Sequence, residues 1–266
     1  MTRYTIDDTG LLHLPEGLSV GGNLDLYGTQ ITALPEGLSV GGYLDLRDTP
    51  ITALPDGLTV GGYLDLRHTP ITALPDGLTV GGGLDLRDTP ITALPDGLTV
   101  GGYLDLRGTP ITALPEGLSV GGWLDLRDTP ITALPDGLTV GGGLYLSGTP
   151  ITALPESIRL GGRSIADAPV IADIHQRVYA AASVEGALDM SDWHTCATTH
   201  CRAGWVVHLA GKAGYKLERH LDSTANAAML IYAASDPARP VPDFYASDKD
   251  ALEDMRRCAE REARHS

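Results

Sequence analysis

The most reactive side chains of the chain are concentrated between residues 193 and 208, which read WHTCATTHCRAGWVVH. This stretch contains two of the three cysteines, three of the eight histidines and two of the three tryptophans. Cysteine and histidine are the usual ligands of Zn²⁺, and cysteine is also a nucleophile when its thiol is deprotonated. We therefore compare three interpretations: a zinc site, a cysteine nucleophile and the packed core of a small domain.

A zinc site is limited by the spacing of its candidate ligands. His200 follows Cys196 by four residues, so the two side chains lie one turn apart on a helix. Cys201 and His208 are seven residues apart, which is about 10.5 Å along a straight helix and too far to share one ion. The candidate ligands are therefore His194, Cys196, His200 and Cys201, with a distant residue such as His220 completing the site.

A nucleophilic role is conceivable for Cys201, because it lies near the start of a predicted helix. The positive end of the helix dipole lowers the pKa of a thiol at that position. His194 or His200 would have to act as the base, and no Ser/Asp partner pattern accompanies them. The third interpretation is packing, since free cysteines are usually buried as small apolar side chains. We favour packing, and we expect no catalytic residue, no cofactor and no metal.

Four helices are predicted to position this stretch within a C-terminal domain of residues 163–266. Apolar spacing and capping residues indicate helices over about 170–182, 199–210 and 224–234, and a last one after Ser247. Gly211-Lys212-Ala213-Gly214 is interpreted as a helix end followed by a turn. The segment from Cys196 to Trp205 resembles a C-x3–4-C-x-A-G-W-type pattern of uncharacterised small bacterial and phage-borne domains. That resemblance implies no known activity.

The preceding residues form a repeat with a period of 20. The same frame begins at Leu14, Leu34, Leu54, Leu74, Leu94, Leu114 and Leu134, and an eighth copy from Leu154 decays after Gly162. A fixed period of this length is typical of a solenoid, in which each unit buries its apolar face against its neighbours. We therefore predict a solenoid over residues 1–162.

Within each copy, the five residues corresponding to Tyr43-Leu44-Asp45-Leu46-Arg47 alternate as a β-strand does. The leucines are predicted to face inwards, and the tyrosine, aspartate and arginine are predicted to face water. Gly41-Gly42 indicates a tight bend before the strand. Pro50 and Pro55 exclude a long α-helix after it, so the return segment is expected to be extended or 3₁₀.

The repeat resembles the bacterial leucine-rich repeat of the short, 20-residue class. The match is L-x-L-x-x-T-x-I-x-x-L-P, as read from Leu44 to Pro55, and it covers residues 6 to about 162. The resemblance implies an α+β protein: a leucine-rich-repeat solenoid with a parallel β-sheet, followed by the helical domain. Threonine stands where that family usually has asparagine, so loop hydrogen bonds are expected to differ. A right-handed β-helix with 20-residue coils is the alternative architecture.

The outward positions of successive strands are predicted to form three columns at a spacing of about 4.8 Å. The residues that we predict to bind a partner are Tyr43, Tyr63, Tyr103, Trp123 and Tyr145, with Asp45, Asp65, Asp85, Asp105, Asp125 and Arg47, Arg67, Arg87, Arg107, Arg127. Aligned aspartates repel one another, and the arginine column can offset this as a salt-bridge lattice on an exposed face. Calcium is disfavoured, since it needs six to eight converging oxygens.

Two features mark this face as a binding surface. Aromatic residues and arginine are enriched at interaction hot spots. In addition, the otherwise uniform copies vary mainly in the aromatic column and at the position after the arginine, which is Asp48 in the second full copy.

Charge restricts the classes of partner. The net charge is −15, and residues 1–159 contain 7 Lys and Arg against 19 Asp and Glu. Such a chain repels phosphate, which predicts neither nucleic acid nor an anionic membrane as partner. A polar start and the lack of an 18-residue apolar run predict no signal peptide and no membrane span. Three cysteines do not form a disulfide framework, so we expect a cytoplasmic protein, with delivery into another cell left open.

The sequence therefore predicts a monomeric, non-enzymatic module that binds a protein partner through the exposed strand face. The alternative is an effector-like enzyme that uses the Cys/His or metal site of its C-terminal domain, with the solenoid as its targeting module. Relatives with short repeats often carry a ligase domain, but the Cys-x-Asp signature associated with that ligase is absent from this sequence.

Overall fold

The computed structural model of the chain describes residues 5–6, 12–191 and 200–264. It divides into two compact units, Met1–Ile151 and Thr152–Ser266. The α+β class is confirmed, because a parallel β-solenoid is followed by a helical region. The predicted domain boundary between residues 162 and 163 stays a prediction.

In the first unit, every coil contributes one two-residue strand to each of two parallel sheets. In both sheets each residue pairs with the residue 20 positions along the chain. The strands of the first, which we call the leucine sheet, are Leu24–Asp25, Leu44–Asp45, Leu64–Asp65, Leu84–Asp85, Leu104–Asp105, Leu124–Asp125 and Leu144–Tyr145. The strands of the valine sheet in this unit are Ser19–Val20, Ser39–Val40, Thr59–Val60, Thr79–Val80, Thr99–Val100, Ser119–Val120 and Thr139–Val140.

The valine sheet adds to the single parallel sheet that the sequence predicts. It forms because Leu38-Ser39-Val40 alternates like the main strand and because its backbone also bonds to the neighbouring coil. The Ser39 amide donates to the Leu18 carbonyl at 2.9 Å, and the Gly41 amide donates to the Val20 carbonyl at 2.7 Å. A separate antiparallel pair, Thr5–Ile6 with Leu12–His13, precedes the coils.

The core of the first unit consists of the inward-facing side chains of the coils. Leu44, Leu46, Val40 and Ile51 are completely buried, and the equivalent residues of the next four coils are buried in the same way. Burying such a side chain contributes about 1.5–3 kcal/mol relative to leaving it in water. The predicted inward orientation of the leucines is therefore correct.

The threonine two residues after the arginine of each strand bonds within its own coil. The Thr49 hydroxyl donates to the Leu46 carbonyl at 2.7 Å, and Thr69, Thr89, Thr109 and Thr129 repeat this bond. A hydroxyl reaches only this local carbonyl, so each threonine closes the turn after its own strand.

Over residues 152–191 and 200–264, the second unit has five α-helices. They are α1 (Ile174–Ala182), α2 (Arg202–Leu209), α3 (Gly211–Leu221), α4 (Thr224–Ser235) and α5 (Asp248–Ala263), preceded by a strand at Arg159–Leu160 and a 3₁₀ helix at Ile165–Asp167. Helix α1 packs mainly on α5, and α2 packs mainly on α4. Within the described ranges, no helix combines the length and the apolar character that crossing a membrane requires.

The predicted caps of the last two helices are confirmed. The Ser223 hydroxyl accepts a hydrogen bond from the Asn226 amide, and the Ser247 hydroxyl accepts one from the Asp250 amide. Helix α2 begins at Arg202 with Cys201 as its N-cap, later than the predicted start near residue 199, because His200 forms an extended bridge with Leu188.

The interpretation of Gly211–Gly214 as a turn is wrong, since helix α3 begins at Gly211. Gly211 has a φ of 62° and supplies the bend between α2 and α3. A Cβ on Gly214 would lie 2.3 Å from the Val207 carbonyl oxygen. The second glycine therefore permits the close approach of α3 to α2.

Candidate functional site

The outer face of the leucine sheet carries the three columns that the sequence predicts, and we call it the strand face. Its aromatic column is half-buried, and Tyr145, which ends the aspartate column, is 36 % exposed. The side chains of the arginine column, from Arg47 to Arg127, are between 26 and 39 % exposed. Water therefore reaches aromatic rings and guanidinium groups on this face.

The aspartates do not meet the expectation of a water-exposed column. Five of them are only 0–2 % exposed, namely Asp45, Asp65, Asp85, Asp105 and Asp125. They point away from the leucine core, but the arginine of the same strand folds over each one. Asp25 in the first coil is exposed, because Tyr27 stands where the later coils have arginine.

Arginine and aspartate form a continuous ion-pair ladder along the solenoid. The Arg87 side chain lies over Asp85 of its own coil, with Nε 2.9 Å from Oδ1 and Nη2 2.6 Å from Oδ2. Its Nε also lies 3.3 Å from Oδ2 of Asp105 in the next coil. The same two contacts recur at Arg47, Arg67 and Arg107. The predicted salt-bridge lattice is therefore present, although its carboxylates are enclosed.

The ladder shifts the ionisation of its members. Burial raises the pKa of Asp45 and Asp85, but the hydrogen bonds from Arg47 and Arg87 outweigh it, so both carboxyl pKa values lie below their ordinary range. Burial and the nearby carboxylates raise the pKa of the Tyr43 and Tyr63 hydroxyls. Carboxylates and phenols in this lattice therefore keep their paired, hydrogen-bonded forms across the neutral range.

We expect the repeat array to lose stability as the pH falls below about 4. An unfolded aspartate has a pKa of about 3.9, and the folded pKa of Asp45 and Asp85 is lower. Above about pH 4 these groups are charged in both states, so the ion pairs contribute fully. Below about pH 4 the unfolded chain binds protons before the folded chain does. The stabilisation from the ion pairs therefore decreases as the pH falls towards and below the pKa of the folded aspartates. Urea midpoints followed by circular dichroism test this, and a midpoint that stays constant down to about pH 2 contradicts it.

The aromatic column forms a second ladder beside the ion pairs. Tyr43 and Tyr63 stack with ring centroids 5.0 Å apart and 6° between planes, and Tyr103 and Trp123 stack at 4.3 Å and 7°. Tyr63 and Tyr103 connect the two pairs at 5.4 Å. Tyr145 meets Trp123 edge-on at 6.3 Å. Five rings thus form one continuous ladder.

The two glycines in this column make room for neighbouring rings. Gly83 separates Tyr63 from Tyr103, and a Cβ built on it would lie 2.3 Å from Cε1 of Tyr103. A Cβ on Gly143 would lie 3.1 Å from Cζ of Tyr145. Variation in the column therefore has a packing cause, because each glycine accepts the ring of another residue.

Variation at the position after the arginine also has a conformational cause. Asp48, His68, Asp88 and Asp128 have φ values of 55° to 58°, and the other coils have glycine there, also with positive φ. Aspartate, histidine and glycine tolerate this left-handed region better than most residues do. A residue of this restricted set is needed to turn the chain after each strand.

The Cys/His stretch is only partly described. His194 and Cys196 lie outside the described residues. His200 and Cys201 are both buried. The Cys201 sulfur accepts a hydrogen bond from the Gly204 amide at 3.3 Å, so it caps α2. The His200 ring packs against Trp205 and His208 with centroids 4.7 and 5.0 Å away.

A second polar cluster, which the sequence analysis did not identify, lies among the helices. His175 is 2 % exposed, and its Nε2 lies 3.2 Å from Oδ2 of Asp236. Burial lowers the pKa of His175, while Glu262 and Asp236 oppose that shift. Asp236 follows His175 by 61 positions, and Glu262 follows it by 87 positions, so no local sequence motif indicates this cluster.

Comparison of the chain with protein-family models, with curated proteins and with solved structures finds no match. The geometry of the strand face therefore carries the functional proposal.

Proposed function

We propose that the strand face is a protein-binding surface and that the chain acts as a non-enzymatic interaction module. The observation that supports this most is a five-ring aromatic ladder beside a row of arginines, both within reach of water. Tyrosine, tryptophan and arginine are the residues most often found at binding hot spots. The solenoid displays them over successive coils, which suits an extended contact area.

The ring geometry favours a protein over a ligand that stacks. In each stacked pair, the two rings cover one another's faces, so the edges remain for a partner. Nucleic-acid bases bind by stacking on open aromatic faces, which such pairs offer poorly. The net charge of −15 also disfavours phosphate. Ring edges and guanidinium groups suit the mixed polar and apolar side chains of a protein.

The same proposal includes finer assignments. We assign the array to the short leucine-rich-repeat class of bacteria on its L-x-L-x-x-T-x-I-x-x-L-P pattern, and we propose a cytoplasmic monomer. The alternative, an enzyme using Cys201 with His194 or His200, receives less support because the Cys201 thiol is buried. The expectation that the Cys/His stretch packs without a metal stays a prediction.

The paired variant Tyr103→Ala/Trp123→Ala tests the binding role. It removes one stacked pair, so we expect a loss of about 1–2 kcal/mol in the free energy of unfolding and a fold that survives. We expect the proteins captured from a lysate by the wild-type chain to be lost with this variant.

The matched control is Thr72→Ala/Thr92→Ala, which changes exposed side chains of the return segments. A specific partner should be retained by this control and lost only with the ring variant. If the wild type, the ring variant and the control are all folded and capture the same proteins equally well, the strand face is not the binding surface.

A further inference from the structure

The cluster around His175 contains three potential metal ligands from three separate helical segments. His175 is in the first turn of α1, Asp236 is the C-cap residue of α4, and Glu262 is near the end of α5. One donor atom of each lies within 4.8 Å of those of the other two. Residues so far apart in sequence converge only because α1 packs on α5 beside the end of α4.

Each carboxylate is held in place by groups around it. Glu262 accepts the Gln176 amide at 2.8 Å and the His175 amide at 3.4 Å, so it is fixed at the start of α1. Asp236 lies 3.4 Å from Nε of Arg239, a long contact for an ion pair. Such outer contacts orient the ligands of metal sites.

His175 is incompletely satisfied by the protein. Its Nδ1 is buried and has no hydrogen-bond partner within the described residues, and its Nε2 faces the Asp236 carboxylate. An ion shared with Asp236 would bind Nε2, because that nitrogen faces the carboxylate, and Nδ1 on the opposite side of the ring would then carry the proton.

We propose that His175, Asp236 and Glu262 bind one divalent transition-metal ion, and that Zn²⁺ is the ion their donors fit. One imidazole nitrogen and two carboxylate oxygens belong to the ligand set of zinc. Calcium needs six to eight oxygen ligands, and magnesium is usually bound by oxygen alone. The ion would join α1, α4 and α5, so its role is to fix the helical unit. This site is separate from the Cys/His stretch and does not depend on the binding role of the strand face.

Cobalt is the probe that separates this site from one built on cysteine. Co²⁺ replaces Zn²⁺ in such sites, and a thiolate ligand gives an intense near-ultraviolet charge-transfer band that nitrogen and oxygen ligands lack. We expect the full-length, metal-free protein to bind one Co²⁺ without that band and to release it when Zn²⁺ is added. Absence of binding, or binding only with the thiolate band, overturns the proposal without any variant.

Three variants locate the ion. His175→Gln and Glu262→Gln each remove a ligand and should weaken Co²⁺ binding at least about tenfold, the loss seen even for outer-contact changes. Glu260→Gln is the matched control, because Glu260 is an exposed carboxylate on the same helix. Circular dichroism confirms which variants fold. If a folded His175→Gln or Glu262→Gln protein binds Co²⁺ as tightly as the wild type, the ion lies elsewhere. The same conclusion follows if Glu260→Gln weakens Co²⁺ binding as much as the ligand variants do.

Discussion

Replacing Asp85 with alanine is expected to lower the free energy of unfolding of the repeat array by about 3 kcal/mol. The Asp85 carboxylate is 1 % exposed and accepts hydrogen bonds from Arg87 and from the Tyr63 hydroxyl at 2.9 Å. Nε of Arg67 lies 3.5 Å away. Losing a buried ion-pair partner costs about 3–5 kcal/mol, and the lower end applies because the arginines keep partial access to water.

Asp25→Ala is the control for this effect. Asp25 occupies the same place in the first coil, but it is exposed and its described hydrogen bond comes from the Tyr27 amide at 3.1 Å. We expect a change within about 0.5 kcal/mol, as is usual for exposed positions. Urea unfolding followed by circular dichroism measures both variants. Similar losses in the two would mean that the ladder contributes little to stability.

Gly101→Ala is expected to destabilise the array by about 3 kcal/mol, the upper end of the range for overpacking. A Cβ at Gly101 would lie 2.1 Å from the carbonyl oxygen of Gly81 and 3.0 Å from its carbonyl carbon. The obstacle is backbone of the neighbouring coil, which hydrogen-bonded strands hold on both sides. The side chain therefore cannot relieve the contact by changing rotamer, and the coils must separate.

Gly21→Ala is the matched control for Gly101→Ala. Gly21 is the equivalent residue of the first coil, and a Cβ there meets no described atom within 4 Å. We expect its urea midpoint to equal that of the wild type, because the added methyl group meets no backbone atom of the described residues. A loss at Gly21 as large as that at Gly101 would show that alanine disrupts the bend itself, independently of stacking.

Much of the first unit could be predicted because each coil repeats the same information. Leu44 and Leu46 alternate with Asp45, and a period of two allows only one side of the strand to face the core. The repetition also made the register certain, since every residue pairs with its counterpart 20 positions away. The caps at Ser223 and Ser247 were predictable for a similar reason, because a cap involves residues three positions apart.

Other features could not be read from one coil. Alternation shows that Asp45 points away from the core, but it does not show that Arg47 folds over it. The change from tyrosine to glycine at position 83 was interpreted as variation of a binding surface. In the fold, this glycine makes room for the Tyr103 ring of the next coil. Gly211 correctly indicated the end of α2, but the turn expected after it is the start of a second helix.

The sequence by itself determined the coil, its period and which side chains enter the core, because these depend on contacts between equivalent residues of a repeat. The tertiary structure alone decided that the arginines cover the aspartates and which rings stack, because the first depends on how a side chain folds over its own strand and the second joins side chains of different coils. It also brought together His175, Asp236 and Glu262, whose separation along the chain leaves no local pattern. Short-range and periodic contacts leave a signature in sequence, while convergence of distant segments depends on how whole helices pack.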